Sequence, residues 1–351
     1  MVIFNRQRRT VRRSCVIILL AMLFVAAPQL VPAQEHEHDQ HQHGDHVMTP
    51  EMFTELRVKV PLYREYTDAQ IMESMERMGP NFRVYLSNAD VAGDVGVLAL
   101  GHGFQVTGNQ EFQDAYAPVA AQQPTAVGLG MAMMTSAHIQ TAVDELTAAG
   151  ATTIVVIPNT TVENGGLTRQ WGYIFGLQNE AEWLSVPKVQ TNAQVIMAPT
   201  PTTHPILSSI LLDYANAYSK EPESEVVAIV SHGPSEAEDN RKELIILEEH
   251  ASRIRSNSAF AEVRGFTLQD DAPSAVRRAN VGSLREWVED ANANDKRVII
   301  LTTLLVEGSV QGKIVRDLDG LDYAFNKDGL MLHPDFGVWV LEVIDIPKNQ
   351  G

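Results

Sequence analysis

The feature that most constrains this chain is a short apolar strand that ends in a His-Gly pair and occurs twice. Val95-Gly96-Val97-Leu98-Ala99-Leu100 runs into Gly101-His102-Gly103, and Glu225 to Val230 runs into Ser231-His232-Gly233. The two histidines are 130 residues apart. His204-Pro205 and His333-Pro334 are 129 apart, and Glu163 and Glu307, each just past a central strand, are 144 apart. Asn109 lies seven residues after His102, and Asn240 eight after His232. Landmarks in one order with small drifts are the mark of an internal duplication.

Between the landmarks, apolar runs too short for helices alternate with helical segments, the signature of a parallel sheet covered on both faces. Strands are expected at Thr153–Ile157, stopped by Pro158, at Val195–Ala198, Glu262–Leu268 and Val298–Thr302. Helices are expected at Ser136–Ala149, Pro205–Tyr218, Asn240–Arg255 and Ser283–Ala293. Ahead of the repeat, Thr67 to Met78 reads as a helix with Thr67 and Gln70 as a capping pair and Gly79-Pro80 as its stop. Its Met72, Met75 and Met78 recur every third residue, a spacing that suits packing more than soft-metal binding.

In open parallel sheets ligands gather at the carboxyl ends of the strands, where His102 and His232 fall. A glycine after each lets the chain turn and exposes the imidazole, a ligand for divalent metals and a proton acceptor near neutral pH. Glu163 and Glu307 leave neighbouring strand ends and are candidates to ligate metal or accept a proton. His204 and His333, each before a proline, suit the shaping of a helix start. His250 sits mid-helix among Glu248, Glu249 and Arg253 and is expected at the surface. The sequence contains no nucleophile elbow, phosphate loop or His-Glu-x-x-His zinc motif.

The first 33 residues read as an export signal. Arg6, Arg8, Arg9, Arg12 and Arg13 precede a 12-residue apolar run from Val16 to Ala27, then Val31-Pro32-Ala33. That run is short of the roughly 20 residues a membrane span needs. Cleavage after Ala33 removes the only cysteine, Cys15, and five arginines, taking the formal charge from −17 to −22. A periplasmic or secreted protein without thiols is the expectation, and its acidity argues against nucleic-acid partners. Residues 34–50 then form a polar tail in which His36, His38, His41, His43 and His46 alternate with acids, suited to loose chelation of transition metals. The expected organisation is signal 1–33, tail 34–50, bridging segment 51–91, and two α/β halves at 92–222 and 223–345.

The block Val97-Leu98-Ala99-Leu100-Gly101-His102-Gly103 resembles the opening of the class II tetrapyrrole metal chelatases, the sirohydrochlorin cobalt- and ferrochelatases. Ile229-Val230-Ser231-His232-Gly233-Pro234, Asn240 and Leu332-His333-Pro334 resemble the same pattern in the second half. The resemblance spans about residues 92–342 and implies two flavodoxin-like halves facing a cleft, in which a divalent metal (cobalt, nickel, iron or zinc) meets a porphyrin-like ring. By that resemblance His102 and His232 bind metal or take pyrrole protons, with an acidic residue assisting. Glu163 is assigned beside His102 as catalytic, and Glu307 beside His232 as a metal ligand. The chain departs from the pattern where the family places a second histidine: neither Pro158–Leu167 nor Leu305–Gln311 contains one. Two functions follow: an exported chelatase, a lyase acting on a tetrapyrrole, or a non-catalytic metal-delivery protein on the same fold. Arg169, Lys313 and Arg316 are the cations expected to meet the carboxylates of such a ring.

Overall fold

The computed structural model describes residues 48–76 and 81–345; the signal-like start, the histidine tail and the Gly79-Pro80 stop lie outside them. Helix α1 (Pro50–Lys59) begins where Thr49 Oγ1 accepts the Met52 N–H at 3.3 Å. Helix α2 (Asp68–Glu76) has the expected reciprocal cap: Gln70 N–H donates to Thr67 Oγ1, and Thr67 N–H donates to Gln70 Oε1 at 2.9 Å. The inner face of α2 carries Ile71 and Met75 into a small core with Phe53, Leu56, Met131 and Met133, while Met72 stays exposed. Packing is therefore what Met75 does here.

The first sheet and its helices follow: β1 (Phe82–Tyr85), β2 (Val95–Gly101), α3 (Val106–Ala120), β3 (Thr125–Leu129), α4 (Ala137–Ala148), β4 (Thr153–Pro158), α5 (Gly166–Ile174), β5 (Gln194–Met197) and α6 (Pro205–Tyr218). The second comprises β6 (Glu225–Ser231), α7 (Ala237–Ser256), β7 (Glu262–Thr267), α8 (Ser274–Ala293), β8 (Arg297–Thr302), α9 (Ser309–Asp317), β9 (Ala324–Phe325) and α10 (Pro334–Ile344). Strand order is β1-β3-β2-β4-β5 in one and β7-β6-β8-β9 in the other. Without β1, which adds antiparallel to β3, the two orders are the same, and β2 and β6 are equivalent central strands. The fold class is the expected one. Strand β3 and helices α3, α5 and α9 were not legible beforehand, and α8 begins nine residues before the expected Ser283.

Because side chains alternate across a strand, each central strand feeds two cores. Val97 and Ala99 of β2 and Val227 and Ile229 of β6 share one continuous core with Phe112, Tyr116, Leu211, Leu247 and Trp339. Leu98 and Leu100 face α4 and α5 in a second core, and Ala228 and Val230 face α8 and α9 in a third. Helices α3, α6, α7 and α10 thus form a middle layer between the sheets. Burying each large side chain of that layer, such as Trp339 at 0% exposure, is worth roughly 2–3 kcal/mol.

This layer corrects the expectation for His250. It is buried, with Nδ1 at 2.7 Å from Ser208 Oγ on α6 and Nε2 at 2.7 Å from the Thr202 carbonyl. The Thr202 carbonyl only accepts, so Nε2 donates and Nδ1 accepts from the serine. The charged neighbours occupy the outer face of α7, whereas His250 lies on the face that meets α6.

Candidate functional site

The two His-Gly turns are built alike. Gly103 and Gly233 both sit at left-handed φ, +86° and +74°, where a side chain is strained. At Gly233 a Cβ would also come within 2.8 Å of Thr267 Cβ and 3.0 Å of the Gln269 nitrogen. In the first half Asn109 Oδ1 accepts the Phe104 N–H at 2.8 Å, bracing the turn behind His102. These geometries place both imidazoles at the carboxyl ends of the central strands.

His102 is open to solvent, but protein crowds around it and its ring packs 4.5 Å from that of Phe104. Desolvation, reinforced by His232, holds its pKa below the usual histidine value, although Asp271 opposes the shift. His102 thus lies within electrostatic reach of His232 and Asp271. His232 Nδ1 lies 2.9 Å from the Gly233 carbonyl, which can only accept, so Nδ1 is the donor there and Nε2 is the ring nitrogen left to face the carboxylates. Asp271 Oδ2 is 3.5 Å from that Nε2.

His232, Asp270 and Asp271 bring one ligand atom each within 4.8 Å of one another. One imidazole and two carboxylates suit a divalent cation and leave further coordination positions open. Asp270 is almost fully buried and its pKa is held low despite desolvation, because Lys313 and Arg277 donate to it. The acidic pair follows the carboxyl end of β7, the neighbour of β6, which is why it meets His232. Both aspartates escaped the sequence reading. At the same distance past β3 stand Ala132-Met133, so the internal repeat concealed them.

Glu163 is half-buried and sits near enough to Glu243 to raise that residue's pKa. Glu307 is exposed, and its backbone N–H donates to Glu111 Oε2 at 3.1 Å; the three-residue cluster is built without it. His36, His38, His41, His43 and His46 lie outside the described residues. In the Pro158–Leu167 loop, which contains no histidine, Asn159 is locked in place, accepting from Tyr116 OH at 2.8 Å and donating to the Ile157 carbonyl. Of the expected basic residues, Arg169 is committed to Glu182 and Asp239, and Lys313 to Asp270, while Arg316 is exposed on α9. His204 and His333 shape helix starts, as expected. A separate hollow of about 230 Å3, lined by Val226, Glu262, Trp287 and Asp290, lies at the amino ends of the second sheet, far from this chemistry. Among the described residues no helix is long and apolar enough to cross a membrane.

No family model matches the sequence, and no curated protein matches it. Solved structures do. SirB from Bacillus subtilis, solved with Fe3+, aligns with a TM-score of 0.53 at 15% identity, over 74% of this chain and 98% of that one. DR2241 from Deinococcus radiodurans, described as a multi-domain protein with structural similarity to chelatases and two additional domains, aligns at 0.45 and 16% identity, over 72% of this chain and 55% of that one. The fold is chelatase-like.

Proposed function

We propose that this protein handles a divalent metal at the His232–Asp270–Asp271 cluster, exported from the cytoplasm, and inserts it into a tetrapyrrole. The observation that carries the reading is the open three-ligand cluster at a strand's carboxyl end, with His102 of the other half within electrostatic reach. The metal is the substrate. His232, Asp271 and Asp270 hold it, and His102 accepts a ring N–H proton across the gap. Fe3+ in SirB supports iron alongside cobalt, nickel and zinc as candidate ions. The histidine tail collects ions and raises their local concentration.

A second reading, metal binding and delivery without insertion, is favoured by one observation: the Pro158–Leu167 loop carries no histidine, and its Asn159 is tied to Tyr116. One experiment separates the two. The mature protein is mixed with sirohydrochlorin and Co2+ or Fe2+, and absorbance follows insertion. Acceleration over the metal alone that is lost in His102→Ala supports the chelatase. Metal binding without acceleration supports delivery.

A further inference from the structure

We propose that Lys313 is a built-in counter-cation of the metal site, and that a divalent ion enters by displacing its ammonium from Asp270. The inference rests on the metal-binding reading above and concerns how that same site is held when no ion is present.

Asp270 is the only buried member of the cluster, its side chain 2% exposed, and both its oxygens are engaged. Arg277 Nε donates to Oδ1 at 2.7 Å, and Lys313 Nζ donates to Oδ2 at 2.5 Å. The two cations differ in what releases them. Arg277 also grips Asp317 through both terminal nitrogens, at 2.6 and 3.3 Å, so its departure would strip two carboxylates at once. Lys313 has Asp270 as its ion-pair partner, and its side chain, on the outer turn of α9, is 36% exposed. A compact ammonium on a flexible stem regains its hydration when it swings outward. Arg277 is therefore the fixed part of the site and Lys313 the exchangeable one.

The rest of the cluster is poised. His232 turns Nε2 towards the cluster because Nδ1 is tied to the Gly233 carbonyl, and Asp271 stands beside it at 3.5 Å. Both oxygens of Asp270 are covered by positive charge, Oδ1 by the fixed Arg277 and Oδ2 by the exchangeable Lys313. A carboxylate oxygen has a second lone pair, but an ion placed there would stand within a few ångströms of the ammonium, in a setting where water screens poorly. Cation exchange resolves the conflict. The metal takes Oδ2 and the lysine moves into solvent, so Asp270 is never left buried and unpaired. The exchange weakens apparent affinity and keeps adventitious ions out, which suits a site that must release its metal again.

The test compares Co2+ affinity, by calorimetry, in the full chain and its variants, so that the tail contributes equally to all. His232→Ala should remove one class of Co2+ site. Lys313→Met, which keeps the stem and deletes the charge, should tighten that class by about tenfold or more. Lys313→Gln should do the same, and in an Asp270→Asn background neither substitution should change the affinity. Unchanged or weaker binding in both lysine variants, with a wild-type circular-dichroism spectrum and His232→Ala still removing the site, overturns the counter-cation and leaves the metal site standing. If His232→Ala removes no site, the metal-binding reading itself falls, and this inference with it.

Discussion

Glu243 is the residue whose chemistry is most at odds with its surroundings. It is 1% exposed on α7, with one carboxylate oxygen accepting from Ser231 Oγ at 2.7 Å and the other without a hydrogen-bond partner. Desolvation pushes its pKa up to about 7, and the charge of Glu163 adds to the rise, against Ser231 and His232. An acid whose folded pKa lies above its unfolded value stabilises the fold most below the unfolded pKa, near 4.5, and that contribution is lost as pH rises through about 7. Glu243→Gln keeps an acceptor for Ser231 but cannot ionise. We expect it to leave stability at pH 5 nearly unchanged and to raise it at pH 8 by up to about 3 kcal/mol. Urea unfolding at both pH values, with chelator present, is the measurement; parallel pH curves for variant and wild type would count against the assignment. At this scale the sequence was informative where a backbone constraint left a mark, as Gly103 and Gly233 did beside their histidines. Glu243 left none, because its meaning depends on Ser231 and Glu163 meeting it in space. Asp270 and Asp271 were hidden for a related reason, having no counterpart in the first half.

Among the elements, α6 and α10 show the duplication most directly. His204 Nδ1 accepts the Ile206 N–H at 3.3 Å and His333 Nδ1 accepts the Asp335 N–H at 3.2 Å, so each histidine caps its helix ahead of a proline in the first turn. Each Nε2 then meets a carboxylate on the other helix: His204 faces Glu342 at 3.2 Å, and His333 faces Asp213 at 3.5 Å. The carboxylates are more than half exposed, so the ion pairs themselves contribute little. The caps should dominate. His333→Ala is expected to cost about 1 kcal/mol, and His333→Asn, which can still accept from the Asp335 N–H, to restore most of it. Denaturant melts of the three proteins decide this; an equal loss in Ala and Asn would move the weight to the pairing with Asp213. The caps were readable because His-Pro has a local meaning. The elements that escaped are those whose local signals conflict with their final state. Helix α3 contains Gly108 and Pro118, strand β3 carries Gly128 at its centre, and the first turns of α8 present Arg277, Arg278 and Asn280 rather than an apolar stripe. Tertiary packing overrides weak propensity in each.

Taken whole, the molecule has one apolar interior shared by its two sheets, and that fixes how it should come apart. The central core takes residues from β2 and β4 as well as from β6 and β8, joined through α6, α7 and α10. His250, hydrogen-bonded from α7 to Ser208 on α6, lies within this middle layer. Burial depresses the pKa of His250 and of His138, the last to about 4. A histidine whose folded pKa is depressed takes up its proton first in the unfolded chain. The stability these histidines contribute is therefore complete above about pH 6.5 and falls as pH drops towards 4, with His138 alone losing up to about 3 kcal/mol, against the opposite trend of Glu243. Because His138 belongs to the first half and His250 to the layer between the sheets, two independent bodies would lose stability on different schedules. One shared core predicts that they do not. Thermal unfolding followed by circular dichroism and by tryptophan fluorescence, which reports Trp171 and Trp183 in the first half and Trp287 and Trp339 in the second, should give a single coincident transition at pH 7.5. In a Glu243→Gln background, which removes the opposing titration of that carboxyl, its midpoint should fall steadily between pH 6.5 and 4.5, and adding His138→Gln should flatten the fall for both probes together. A fluorescence transition that separates from the circular-dichroism transition on acidification would show that the halves unfold independently, and that the common core does not couple them.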